Sequence, residues 1–418
     1  MYALADITGA YAAMEKVFDA SIRFRSVCVL SNNDGCVVAI CPMAKKIGVP
    51  KFEPYFKIKY FLQKHDVVVR SSNYELYQSI SDKMMRVIAR FADNHYVYSI
   101  DESFLHFDNY KRIIDDWHQY GHVIRRTVWK ETRMPIGVGF GPTLTLAKAA
   151  NHAAKKLDGF DGVAVIDSEP ARKAILSRMA CDDVWGIGSR LAKRLSLLGV
   201  NSALDLANQP PKQMRKHFSV NVERTINELN SIRCLEWDEV KQAKKEIFST
   251  RSVGKRITQK YDLRFALTSH VAIVVRKSRR QGSLIKRISA FAASSPHDDS
   301  FFTRSQVYEF PVATSDISVV AAAVLVMLDE LYQSGINYYR CGVGAIQLES
   351  GEHIQSDLFL KSPDNMKLMD CYDSINKRFG NGSLQLASEG FEKKWSMRRE
   401  LLSPRYTTAW HHLPKIYC

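Results

Sequence analysis

The chain has 418 residues, of which 46% are hydrophobic and 25% charged, enough for two to four domains that each bury a core. Its formal net charge of +15 favours a polyanionic partner, either nucleic acid or an anionic membrane surface. The longest apolar run, residues 319–328, is far short of the ~20 needed to span a bilayer. The first residues lack the pattern of a signal peptide, and the eight cysteines form no C-x-x-C pair, so free thiols and a cytoplasmic location are expected.

Residues 2–7 alternate and read as a strand with Asp6 near its end, followed by a helix over 12–18. The β-branched runs 27–30 and 37–40 flank the turn formers Ser31-Asn32-Asn33-Asp34-Gly35 and read as a hairpin. A short helix over 43–47 stops at Gly48 and Pro50. A strand over 67–70 precedes a helix over 72–91 with Leu76, Ile80, Met84, Val87 and Ile88 on one face. Strands over 96–100 and 103–107 bracket Asp101-Glu102; a strand over 136–140, a helix over 144–156 and a strand over 163–166 follow. This alternation up to residue 167 describes one α/β domain with a small insertion.

Residues 168–235 read as short helices, and the highly charged 236–247 as a linker. Residues 248–350 read as an α+β unit, with strands near 249–253, 286–291, 306–310 and 340–347 and helices near 269–281 and 316–334. Residues 351–418 read as loosely structured.

Asp101 and Glu102 can act together only at a bend, because adjacent strand residues point to opposite faces. Asp6 ends a strand that could neighbour them. An isolated acidic pair is ordinarily a solvated turn. Three carboxylates gathered together repel, and hard divalent cations give them a reason to coexist. Lys148 and Lys155 lie seven apart on one helical face. The preceding Gly137-Val138-Gly139 is by itself weak evidence for a phosphate loop. Val184-Trp185-Gly186-Ile187-Gly188, then Leu198-Gly199-Val200, has the form of a helix-hairpin-helix whose backbone N–H groups can approach a DNA phosphate. Between Arg251 and Arg304 there are twelve Lys/Arg and three Asp/Glu, a surface suited to sequence-independent phosphate binding.

Tyr98-Ser99-Ile100-Asp101-Glu102-Ser103-Phe104 resembles the signature of the Y-family DNA polymerases. Asp6-Ile7-Thr8-Gly9-Ala10-Tyr11-Ala12-Ala13-Met14-Glu15 resembles that family's first metal-binding motif, matching at Asp6, Tyr11, Ala12 and Glu15. Leu30-Ser31-Asn32-Asn33-Asp34-Gly35-Cys36-Val37 and Leu402-Ser403-Pro404-Arg405-Tyr406-Thr407-Thr408 are similar to the family's bacterial SOS-mutagenesis branch. The resemblance implies an α/β and α+β multidomain right-hand polymerase: palm (1–15 and 70–167), fingers (16–69), thumb (168–235), linker (236–247), little finger (248–350) and a clamp- and partner-binding tail (351–418).

It further implies error-prone translesion synthesis in the SOS DNA-damage response. Asp6, Asp101 and Glu102, with the carbonyl of Ile7, would hold two Mg²⁺ ions. Tyr11 would be the steric gate against ribonucleotides, and Lys155 and Lys45 would meet the triphosphate. Gly186, Gly188, Arg251, Ser252, Arg279 and Arg280 would contact primer–template DNA. Gln355-Ser356-Asp357-Leu358-Phe359 resembles the clamp-binding peptide, with Gln355, Leu358 and Phe359 as its anchors. The expected partners are DNA, a deoxynucleoside triphosphate (dNTP), the sliding clamp and a UmuD′-type protein, with RecA a further candidate.

Three positions depart from the pattern. Ala10 replaces an aromatic before the gate, Thr8 stands where the branch carries Asn, and Pro42 occupies a position that commonly contacts the triphosphate. Each charge-assisted hydrogen bond lost there costs about 1.5–3 kcal/mol. This leaves open a non-catalytic DNA- and clamp-binding accessory protein, and a nucleotidyl cyclase sharing the acids.

Overall fold

Strand β1 (Tyr2–Ile7) is buried on both faces except at Asp6, so it occupies the centre of a sheet. In the computed structural model, residues 1–107, 110, 113–235, 243–352, 364–380, 382–391 and 395–413 are described. The chain divides into two units: Met1–Ser31, Gly35–Val240 and Leu401–Cys418 form one, and Asn32–Asp34 with Lys241–Glu400 form the other.

In the first unit, β2 (Val27–Leu30), β3 (Val37–Ile40) and β4 (Val68–Ser71) make a three-stranded sheet in the order β3-β2-β4. Strands β5 (Asn94–Val97), β6 (Glu102–His106), β7 (Ile136–Gly141) and β8 (Val163–Val165) join β1 in a five-stranded sheet, order β5-β6-β1-β7-β8. Strand β1 is antiparallel to both neighbours, which sets Asp6 opposite Glu102 on β6 and opposite Gly137 on β7.

Helix Leu144–Lys156 lies against this sheet because β7 is short of side chains on the facing side. A Cβ added at Gly139 would sit 2.0 Å from the backbone nitrogen of Asn151. One added at Gly137 would sit 2.6 Å from Cγ of Lys155. The glycine pair is therefore a helix seat, not a phosphate loop. The buried Asn151 amide fastens the seat, donating to the carbonyls of Leu4 (3.0 Å) and Gly137 (2.8 Å). Thr143 caps the helix, accepting from Leu146 N–H, and the fully buried Glu228 accepts from Thr145 N–H at 3.1 Å. The exit face of this helix, Ala149, Ala150 and Ala153, shares a core with Leu195, Leu206, Ile226 and Leu229 from the short helices that follow.

In the second unit, β9 (Ile247–Ile257), β10 (Ser283–Ala293), β11 (Thr303–Thr314) and β12 (Tyr338–Ser350) form an antiparallel sheet ordered β11-β10-β12-β9. Ile288, Ala290, Ala292, Cys341, Val343 and Ala345 turn inward against helices Lys260–Arg280 and Ile317–Leu331. The first of these helices starts nine residues earlier than its periodicity suggests; its N-cap, Gln259, gives no side-chain cap.

The described residues of the C-terminal stretch hold more structure than its composition suggests. Residues Met366–Phe379 form a helix capped by Asn365, and Leu401 onward belongs to the first unit. Cys28, Cys41, Cys181 and Cys341 are free and buried, the packing role expected of small apolar thiols. Among the described residues no helix is long and apolar enough to cross a membrane.

Candidate active site

The β5–β6 hairpin makes the bend that the acidic pair needs. Tyr98 and Ser99 N–H groups both donate to the carbonyl of Glu102, at 3.1 and 3.2 Å, which closes the turn. Asp101 sits in the turn and Glu102 opens β6. Ser99 Oγ accepts from the N–H groups of Asp101 and Glu102 and donates to Asp101 Oδ1 at 2.5 Å, fixing that carboxylate. The Asp101 carbonyl accepts from Ile7 N–H at 3.0 Å, tying the turn to the end of β1.

Two lysines from one helix reach the acids. Lys155 Nζ lies 2.7 Å from Asp6 Oδ2 and donates to the Ile7 carbonyl at 3.1 Å. Lys148 Nζ lies 2.9 Å from Glu102 Oε2. The seven-residue spacing thus places one ammonium on each acid across β1 and β6. Burial pushes the Asp6 carboxyl up to about 6; Lys155 pulls it down, while Glu102 and Asp101 add to the rise.

Composition gave no sign of what surrounds Lys148. Its ammonium lies 4.7 Å from the ring centre of Tyr98, 5.2 Å from Trp185 and 6.0 Å from Phe104. Trp185 packs edge-on against Tyr98 at 5.7 Å. The tryptophan of the Val184-Trp185-Gly186 string therefore serves the acidic site, and only its proximity in sequence to Gly186 hinted at a role.

Three carboxylates and a backbone carbonyl are hard oxygen donors, the set that suits divalent magnesium. Two of the three are paired with ammoniums, Asp6 with Lys155 and Glu102 with Lys148, and among the described residues no three His, Cys, Asp or Glu side chains form a ready-made cluster. The donor chemistry fits hard divalent ions.

The remaining candidate residues lie as follows. Tyr11, on helix Ala10–Glu15, stacks on Tyr77 with centroids 4.6 Å apart and planes 14° from parallel. Pro42 opens helix Pro42–Lys46, where its missing N–H costs nothing, and Lys45 is exposed in the last turn. Thr8 and Pro42 line one cavity of about 260 Å³ together with Lys16, Arg23 and Arg133. Gly186 adopts φ +91°, and Gly188 precedes helix Ser189–Ser196 with open space beside its Cα.

In the second unit, Arg251 opposes the inward-facing Cys341 and Ser252 opposes the exposed Arg340, so the two leave opposite faces of the sheet. Arg280 is exposed. Arg279 is not available to a phosphate. Its side chain is 6% exposed, bonds both oxygens of Asp373 at 2.8 Å and donates to the carbonyl of Ser315 at 2.7 Å. It anchors helix Met366–Phe379 instead, which corrects the expectation that it binds DNA. Gln355, Leu358 and Phe359 lie outside the described residues.

Solved structures share this architecture. A Y-family DNA polymerase chimera of Dbh and Dpo4 aligns with a TM-score of 0.63 at 20% identity, over 82% of this chain and 98% of that one. An insertion ternary complex of Dbh DNA polymerase aligns with a TM-score of 0.53 at 19% identity, over 84% and 99%. The architecture is that of a right-hand, Y-family DNA polymerase. The impB/mucB/samB family model matches residues 5–152, its C-terminal domain matches 244–358, and a domain of unknown function (DUF4113) matches 366–416. Protein UmuC of Salmonella typhimurium is 38% identical over all of both chains, and protein ImpB of Salmonella typhimurium is 35% identical over 99% of both. DNA polymerase IV 2 of Bacillus subtilis is 24% identical over 93% of this chain and 96% of its own. The chain belongs to the impB/mucB/samB family and is a UmuC-like member of the Y-family DNA polymerases.

Proposed function

We propose that this enzyme adds deoxynucleotides to a primer 3′-end opposite damaged template, without proofreading, as the catalytic chain of an SOS mutagenesis system. The observation that carries the reading is Asp6 set opposite Glu102, with Lys155 on Asp6 and Asp101 pinned to the end of the same strand.

Asp6, Asp101, Glu102 and the Ile7 carbonyl are the groups that would hold two Mg²⁺ ions. Such ions favour ionisation of a primer 3′-hydroxyl and neutralise a triphosphate. The residues of the chain do the rest. The Lys155 ammonium, released from Asp6, is free to balance the charge that develops on the leaving pyrophosphate. Lys45 is a second cation for the triphosphate. Tyr11 blocks the space of a ribose 2′-hydroxyl. In this reading residues 1–15 and 70–167 are the palm, 16–69 the fingers, 168–235 the thumb and 248–350 the little finger.

Gly186 and Gly188 let backbone N–H groups reach a duplex phosphate. On the little finger, Ser252 and Arg340 on the open sheet face, with Arg280, supply phosphate contacts, whereas Arg251 leaves the opposite face. Gln355, Leu358 and Phe359 dock the sliding clamp, and the tail meets a UmuD′-type partner, with RecA a further contact. A cytoplasmic location follows from these partners.

Primer extension opposite an abasic site, with and without the clamp and a UmuD′-type protein, tests the reading. Insertion opposite the lesion supports it. DNA and clamp binding without insertion under any of these conditions would favour the accessory-protein alternative, which the altered Ala10 and Pro42 motivate.

A further inference from the structure

The segment from Leu401 to Tyr406 is built into the support of Tyr11. Leu401 pairs with Ser71 at the end of β4: Ser71 N–H donates to the Leu401 carbonyl at 3.0 Å, and Leu401 N–H donates to Ser71 Oγ at 2.9 Å. Two residues on, Ser403 enters a polar cluster that is almost wholly shielded from solvent. Tyr77 and Asn73 are 0% exposed, Glu15 2% and Ser403 5%. Ser403 Oγ donates to Glu15 Oε1 at 3.1 Å, and the Tyr77 hydroxyl donates to the same oxygen at 2.6 Å. Asn73 Nδ2 donates to the Ser403 carbonyl at 3.0 Å and to its Oγ at 2.9 Å. Beyond the cluster, Tyr406 stacks on Phe18 with centroids 5.2 Å apart.

Each member of this cluster bears on Tyr11. Glu15 is four residues from Tyr11 on helix Ala10–Glu15, and so lies on the same helical side. Tyr77 carries the ring on which Tyr11 stacks, and its hydroxyl fixes that ring. Asn73 is the N-cap of helix Tyr74–Ile88, which carries Tyr77. A buried carboxylate oxygen that loses one of two donors leaves the remaining one free to re-aim. The tyrosine stack would then lose its fixed register.

We infer that Ser403 is a positioning residue for sugar selection: through Glu15 and Tyr77 it holds Tyr11 in the place that excludes a ribose 2′-hydroxyl. The inference rests on the steric-gate reading of Tyr11 and gives the end of the 366–416 region a definite task.

The test is single-nucleotide insertion on an undamaged primer–template, with kcat/KM measured for a dNTP and for the matching ribonucleotide. Tyr11→Ala is the arm that reports on the gate itself. The full-length Ser403→Ala variant is expected to lose about five- to tenfold in the deoxy-to-ribo ratio, mainly by accepting the ribonucleotide better. Ser403→Thr, which keeps the hydroxyl, is expected to retain the wild-type ratio. Tyr77→Phe releases the same ring from the other end of the chain of bonds and is expected to show a loss of similar size; it keeps the test open should Ser403→Ala fold poorly. A purely structural role would slow both nucleotides equally and leave the ratio unchanged. An unchanged ratio in Ser403→Ala and Tyr77→Phe, with Tyr11→Ala collapsing it, overturns this inference alone. An unchanged ratio in Tyr11→Ala overturns the gate reading beneath it.

Discussion

Gly139→Ala adds one methyl group at the point where the five-stranded sheet and helix Leu144–Lys156 come closest. The new Cβ would lie 2.0 Å from Asn151 N and 2.5 Å from the carbonyl carbon of Ala150, both backbone atoms of a helix interior. Ordinary contact begins near 3.4 Å, so the helix must retreat by about 1.4 Å or the strand must bow away. Overpacking of this kind costs about 1–3 kcal/mol, and contact with rigid backbone belongs at the upper end. At roughly 2–4 °C per kcal/mol for a unit of this size, Tm should fall by about 6–12 °C.

The same movement carries Lys148 and Lys155 with it, and their 2.9 and 2.7 Å ion pairs cannot survive a displacement of that length. Misplacement by about 1 Å at a reacting centre can cost 10²-fold, so kcat/KM for nucleotide insertion should fall by about that factor. Thermal melting and single-turnover insertion on one preparation, at a temperature where the variant is folded, measure both effects. Gly188→Ala is the control for stability, since its Cβ would meet nothing within 4 Å. A Gly139→Ala variant that melts and inserts like wild type would refute the idea that this close seat places the two lysines.

Other predictions concern the second unit. His270 is buried beside Ser249, and burial with the nearby Arg251 charge lowers its pKa to about 4, against 6.5 for the free side chain. The unfolded chain therefore takes up this proton first as pH falls. His270 contributes full stability above pH 6.5, and about 3 kcal/mol is lost between pH 6.5 and 4. His270→Gln should flatten that slope in amide exchange of Tyr338–Ser350, corrected for intrinsic rates; an unchanged slope would show that His270 does not set it. Arg279→Met should leave DNA affinity unaltered while exposing helix Met366–Phe379 to proteolysis, because it removes the arginine that holds Asp373, whose side chain is partly exposed, so the cost falls below the roughly 3–5 kcal/mol of a fully buried pair. Arg340→Ala should weaken DNA binding and lower the salt slope by about one, measured by fluorescence anisotropy across a salt series; an unaltered slope would remove the open sheet face from the DNA contact.

The acidic site was legible because its information is local. Asp101-Glu102 needs a bend, its flanking strands allow one, and seven-residue spacing puts two lysines on one helical side. The seat formed by Gly137 and Gly139 was not legible, since its meaning depends on the later residues Lys155 and Asn151, which close on the two glycines. Arg279 was read as a surface charge because nothing within its own helix shows Asp373, 94 residues away, closing on it. Trp185 and Ser403 were missed for the same reason. Each acts through a partner distant in sequence, and neither breaks any local rule of helix, strand or turn. Helix Met366–Phe379 does carry a helical repeat, with Met369, Tyr372, Ile375 and Phe379 three to four residues apart, but it buries only Met369 and Asn376 and stands within a long polar stretch that masks it.

The central claim is that Asp6, Asp101 and Glu102 hold the metals of a template-directed polymerase. Its most direct test is magnesium-dependent extension of a primer by the wild-type chain and by Asp101→Ala, with clamp and UmuD′-type partner present. The account predicts template-matched extension by wild type and a loss of at least about 10³-fold in the variant, whose DNA affinity stays the same. Equal extension by the two proteins, or DNA binding by wild type with no extension at all, would contradict it.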